Sequence, residues 1–233
     1  MEMIKKLPLG GKSEIEFAGK TFVFERVNPY FLKVTSEGEE RLISIEDTVE
    51  IRIDSGFYEH PYFFKWQSPL NASPKTTLKF ILKLPLQKSL VVEAGTRDIV
   101  IEKLYKEGRH AWHGPVSAGE LCDFVAPEVL FEPKKGDFAN MPVRIVNPDS
   151  LSKEIKAFVV NPDYLILYKA ENGFFTNKVY VNIVGEGEFS MSYGTTTTKA
   201  ARKAEVLIQQ KTKSPKSILT SFSPLKLARE FGF

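Results

Sequence analysis

The chain holds one cysteine, three histidines and two tryptophans in 233 residues. A single cysteine, Cys122, permits no intrachain disulfide, which points to a reducing compartment. No apolar run approaches the roughly 18 residues of a membrane helix. The opening stretch, MEMIKKLPLGGK, is too short and too polar for a signal peptide. These absences predict a cytoplasmic protein. G-x-S-x-G, a P-loop and G-x-G-x-x-G are also missing. Gly185-Glu186-Gly187 is glycine-rich, but an apolar-alternating run follows it rather than a helix, so it reads as a hairpin turn. There is no repeat of 20–50 residues and no heptad pattern.

Net charge is small as well. A formal +3 does not by itself imply a nucleic-acid partner. Its distribution says more. Residues 194–233 carry eight basic and two acidic side chains, a net +6, which leaves −3 for residues 1–193. Lys199, Arg202, Lys203, Lys211, Lys213 and Lys216 make this segment a candidate contact for an anionic surface, including a membrane. A basic tail is more often a solvated face, and no RNP-type aromatic motif accompanies it. Abundant Lys and Glu beside a single cysteine also suit a thermophile.

What the chain does have is aromatic residues, 18 Phe and 8 Tyr, and a period of two. Both favour strands. The pattern is clearest over 141–193, where apolar runs are parted by Asn-Pro-Asp, Glu-Asn-Gly and Gly-Glu-Gly. There Val179, Val181 and Ile183 alternate with Lys178, Tyr180 and Asn182. Earlier runs repeat the theme. Ser13–Phe17 and Thr21–Val27 read as a hairpin with the three-residue loop Ala18-Gly19-Lys20. Tyr30–Thr35 with Arg41–Ile45, and Leu90–Glu93 with Asp98–Tyr105, read as two more.

Gln67–Thr76 and Gly108–Pro115 read as loops. Pro61 excludes a central strand at that point. Lys199–Lys211 begins helix-like and ends strand-like. Ser223-Pro224 has the order of a helix start, with a strand over Leu225–Phe231 competing.

The expected fold is all-β: one or two packed antiparallel β-sandwiches, with a short C-terminal helix as an option. Glu132–Asn140 is the expected boundary. It gives an N-terminal β-sandwich unit over 1–135, a second β unit over 136–196, and a basic segment over 197–233 packing on or extending it.

Two groups of residues carry the chemistry worth testing. His60, His110, His113 and Cys122 are the chain's usual nitrogen and sulfur ligands and could close a tetrahedral zinc site. Against this stand the missing paired spacing and the fifty residues between His60 and His110. Cys122 also lies between Glu120 and Asp123, which raise rather than lower a thiol pKa. Tyr58, Tyr62, Trp66 and Trp112 could stack on a ligand if half-exposed. Large rings also fill the space between sheets. With 29 acidic residues some carboxylate pair is always close, so none is singled out for glycoside hydrolysis.

PVRIVN, NPDSLSKE, IKAFVVN, DYLILYKAENGF and KVYVNI, with TVEIRI and TLKFILKLPL before them, are similar to an uncharacterised, mainly archaeal family. It is a β-rich domain of unknown function, and the resemblance spans residues 48–183. It implies a stand-alone β protein and brings no activity and no catalytic residue.

The reading is therefore a non-enzymatic binding or protein-interaction module, with open sheet edges that would also allow a homo-oligomer. A metal-dependent enzyme using the three histidines is one alternative. A peripheral partner of a membrane or membrane protein, held by the basic segment, is the other.

Overall fold

The computed structural model describes residues 2–46, 48–104, 108–114, 119–185, 188–195, 204–211, 218–221 and 230–231. They are almost entirely strand, and the one helical element among them is a 3-10 turn, Pro162–Tyr164. Among the described residues no helix is long and apolar enough to cross a membrane. The chain divides into two compact units, Met1–Gly56 with Gln87–Glu107, and Phe57–Leu86 with Gly108–Phe233.

The first unit is a sandwich of two four-stranded antiparallel sheets. One contains β1 (Glu2–Lys6), β6 (Val49–Gly56), β9 (Gln87–Ala94) and β10 (Arg97–Leu104), in the order β1-β6-β9-β10. The other is a meander of β2 (Lys12–Phe17), β3 (Lys20–Asn28), β4 (Phe31–Ser36) and β5 (Glu39–Ser44). KSEIEF in β2 alternates exposed and buried at every residue, as the pleat requires. The inward residues Ile15, Phe17, Phe22, Phe24, Leu32 and Val34 share a core with Val49, Ile51, Leu90 and Val92 of the facing sheet.

The β2–β3 loop has two residues, not three. Ala18 and Gly19 have φ of 54° and 76°, while Lys20 already pairs with Phe17. Positive φ at both positions matches the right-handed twist of the flanking strands.

The second unit packs a five-stranded sheet on a nine-stranded one. The five-stranded sheet runs β15 (Lys153–Val160), β7 (Tyr62–Ala72), β12 (Glu120–Val125), β11 (His110–His113), β22 (Glu230–Phe231). The nine-stranded sheet is centred on β14 (Phe138–Val146), with β8 (Thr77–Pro85) antiparallel on one side and β13 (Val129–Leu130) beyond it. On the other side of β14, β17 (Gly173–Thr176) and β18 (Val179–Gly185) lie end to end, both parallel to it. Then β19 (Glu188–Tyr193) and β21 (Ile218–Ser221) extend the sheet beyond β18, and β16 (Leu167–Ala170) and β20 (Glu205–Ile208) extend it beyond β17. Besides those two contacts, β12 and β7 pair in parallel, so among the described residues the antiparallel pattern has three exceptions.

The core takes Tyr62, Phe64, Phe158 and Val160 from the five-stranded sheet. From the nine-stranded sheet it takes Leu82, Met141, Ile145, Val181, Phe189 and Met191. Burying one such large side chain is worth about 1.5–3 kcal/mol.

Several expectations change. Gln67–Ala72 is strand, not loop. Pro69 is tolerated because the register with β15 slips between Leu70 and Lys65, so no ladder hydrogen bond is required of it. Within Gly108–Pro115, His110–His113 is a strand, held on both sides by β12 and β22. Glu132–Asn140 falls inside the second unit, and its last three residues begin β14. The unit boundaries lie instead where the chain leaves β6, returns at β9 and leaves again after β10. Of the C-terminal options, EVLI forms β20. The helix start at Ser223-Pro224 lies outside the described residues.

Candidate functional site

The pleat decides which candidate residues meet. Across the five-stranded sheet, His110 pairs with Asp123, Asp123 with Tyr62, and Tyr62 with Val160. These four form one row on the face turned to the main core. Neighbouring positions point the other way. Cys122 and Ala111 pair with each other and are buried with Phe63, Ala157 and Val159 on the opposite face. His113, three residues from His110 on a strand, shares that opposite face.

The four expected metal ligands are thus split. His60 stands beside His110, ring centroids 6.1 Å apart and edge to face, on one side of the sheet. His113 and Cys122 are on the other. Among the described residues no group of three or more His, Cys, Asp or Glu side chains is placed to hold a metal ion.

The residue that the sequence reading missed here is Asp123. His110 Nδ1 is 3.1 Å from Asp123 Oδ1, a contact that becomes an ion pair when the imidazole is protonated. Burial raises the Asp123 pKa, and the neighbouring imidazoles of His60 and His110 offset part of that rise. Burial, with a smaller contribution from Asp123, raises Tyr58 too. On the far face burial lowers His113 and raises Glu120, and their 3.9 Å contact is too long to reverse either shift. The Cys122 thiol is pushed up to about 12 by burial first and by Glu120 and Asp123 second. It is an inert core thiol.

The four aromatic candidates sit differently from one another. Tyr62 is fully buried, its hydroxyl accepting from Tyr58 N–H at 2.8 Å and donating to the Pro85 carbonyl at 3.2 Å. Trp66 is half-buried against Phe158, ring centroids 5.2 Å apart. Tyr58 is half-buried with its ring 5.6 Å from that of Tyr62. Trp112 is half-buried and pairs with Leu121 at the edge of the same face. They line the core and its margin and form no continuous exposed patch.

A second surface stands out, which no motif announced. On the outer face of the nine-stranded sheet, Lys79 pairs with Arg144, Arg144 with Tyr180, and Tyr180 with Ser192. Lys178 lies two residues along from Tyr180, where Gly194 N–H bonds its carbonyl at 2.8 Å. Lys79 and Arg144 are exposed, while Lys178, Tyr180 and Ser192 are half-buried. Like charges directly across a pair of strands repel. In the first unit such cations meet carboxylates: Lys33 reaches Glu25 and Glu40 at 3.2 and 3.5 Å. Lys79, Arg144 and Lys178 have no carboxylate within ion-pair distance among the described residues.

Of the C-terminal cations, Lys211 pairs with Asp163 at 2.9 Å. Lys199, Arg202, Lys203, Lys213 and Lys216 lie outside the described residues.

The chain belongs, over residues 11–225, to the family described as Protein of unknown function (DUF432). No curated protein and no solved structure matches it.

Proposed function

We propose that this member of the DUF432 family is a binding module that docks an anionic partner on the outer face of its nine-stranded sheet. The observation that carries the reading is the Lys79–Arg144 cross-strand pair, with Lys178 beside it and no acidic partner among the described residues. A sheet bears the cost of adjacent like charges without compensation when the compensation arrives with a ligand. Because the strands lie about 4.8 Å apart, the cations share one compact patch. The half-buried His60–His110–Asp123 group belongs to the other sheet and serves as a polar margin to the core in this reading.

Retention on a heparin column tests it. The wild-type chain is expected to elute at clearly higher salt than the Lys79→Glu/Arg144→Glu double variant. Equal elution of the two proteins sinks the proposal, because the basic C-terminal segment would then account for any retention.

A further inference from the structure

We infer that the anionic partner is a single-stranded nucleic acid, bound without sequence preference, with Tyr180 as its stacking surface and Lys79, Arg144 and Lys178 as its phosphate contacts. The inference rests on the docking face proposed above and narrows its ligand.

Tyr180 is the reason to go further than charge. It stands in the middle of the cationic row, with Arg144 on one side and Ser192 on the other. Its ring reaches along the sheet to Gly194. A Cβ on Gly194 would stand 3.4 Å from Tyr180 Cε2 and 3.6 Å from Lys178 Cβ. Those are ordinary van der Waals distances, and they place the edge of the Tyr180 ring beside the neighbouring strand at Gly194. A half-exposed ring flanked by cations is what a splayed base needs: a π-face to stack on and positive charge for the adjoining phosphates.

The next residues out on this face, Asn182 and Ser190, pair with each other and make no side-chain hydrogen bond among the described residues. Nor does Ser192. They offer donors and acceptors for sugar and base edges without the fixed geometry that reads a sequence.

Other polyanions use less of what is there. A duplex keeps its base faces stacked inside and presents only phosphate to a flat sheet. An anionic lipid surface calls for positive charge and has no use for the ring.

The test uses the full chain and fluorescein-labelled oligo-dT and oligo-U of about 15 nucleotides, followed by anisotropy between roughly 50 and 200 mM salt. Three phosphate contacts on a single strand give a slope of log affinity against log salt of about −2. Tyr180→Ala is expected to weaken binding about tenfold with that slope unchanged, and Tyr180→Phe to bind like wild type. Lys79→Glu/Arg144→Glu is expected to flatten the slope. Circular dichroism confirms that each variant is folded. Duplex DNA of equal length and phosphatidylcholine–phosphatidylglycerol vesicles are the comparison ligands.

Oligonucleotide binding that is indifferent to Tyr180→Ala, or no tighter than duplex or vesicle binding, overturns the inference. If heparin retention depends on Lys79 and Arg144 while neither oligonucleotide binds, the docking face stands and its nucleic-acid assignment falls. If retention is also independent of those two residues, both fall.

Discussion

Asn147 is the residue whose replacement tests the architecture of the second unit most directly. It is 1% exposed. Two chain crossings between the sheets meet at it, β7 to β8 and β14 to β15. Its amide nitrogen donates to the carbonyls of Ala72, Ser73 and Leu151 at 2.9, 3.0 and 2.8 Å. Its Oδ1 accepts from Asp149 N–H at 3.1 Å.

Asn147→Ala removes all four contacts. The amide's two hydrogens serve three carbonyls, one of them shared, so with the Oδ1 bond the loss would be about 3 kcal/mol at about 1 kcal/mol net for each full bond. Ser73 and Leu151 are exposed residues, so water re-satisfies part of this, and about 2 kcal/mol remains. Asn147→Asp keeps the shape but replaces the only donor with an oxygen facing three carbonyls. It is expected to be worse than alanine at neutral pH by about 1 kcal/mol or more. Protonation of the carboxyl restores a donor, so this excess is full at neutral pH and shrinks as the pH falls through the raised pKa expected for a buried carboxyl.

Trp66 and Trp112 are the only tryptophans, and both lie in the second unit. Urea unfolding followed by tryptophan fluorescence therefore reports on that unit alone. An aspartate variant as stable as the alanine variant at pH 7 would refute the donor role assigned to this amide.

Two further outcomes follow from buried groups. In the first unit Arg52 is 5% exposed at its side chain and holds three carboxylates: Asp54 through Nε at 3.0 Å, Asp98 at 2.6 Å, and Glu93. Arg52→Met should cost about 2 kcal/mol at pH 7, less than a fully buried broken pair because the carboxylates reach water. A thermal melt by circular dichroism that is unchanged at pH 7 contradicts this. Cys122, with its thiol pushed up to about 12, should resist a disulfide reagent at pH 8 in the folded protein and react fully in urea. Stoichiometric labelling of the folded chain within seconds contradicts its burial.

Local physics made much of the fold legible. A strand needs only alternation along itself, so Val179, Val181 and Ile183 announced β18 and its buried face. Hairpin partners are neighbours in sequence, so the β2–β3, β4–β5, β9–β10 and β18–β19 pairs could be read from the turns between them. Misreadings came where a local rule met a distant partner. Proline in Gln67–Thr76 argues for a loop until pairing with β15 places it in a bulge of β7 that excuses it. His110 and His113 look like ligands in one loop until β12 and β22 stretch them into a strand and send the rings to opposite faces.

The candidate surfaces were the least legible part for the same reason. Lys79, Arg144 and Tyr180 come from three strands far apart in the chain, and no spacing in the sequence links them. The same holds for Asp123 beside His60 and His110. Alone, the sequence determined that this chain is all-β, where most strands run and which side of each is apolar. Those properties follow from the two-residue repeat and the turn residues. The tertiary structure decided which strands lie side by side, that Asn-Pro-Asp is a crossing between sheets, and that three cations and a ring share one face. Pairing joins residues through backbone hydrogen bonds that carry no record of sequence distance.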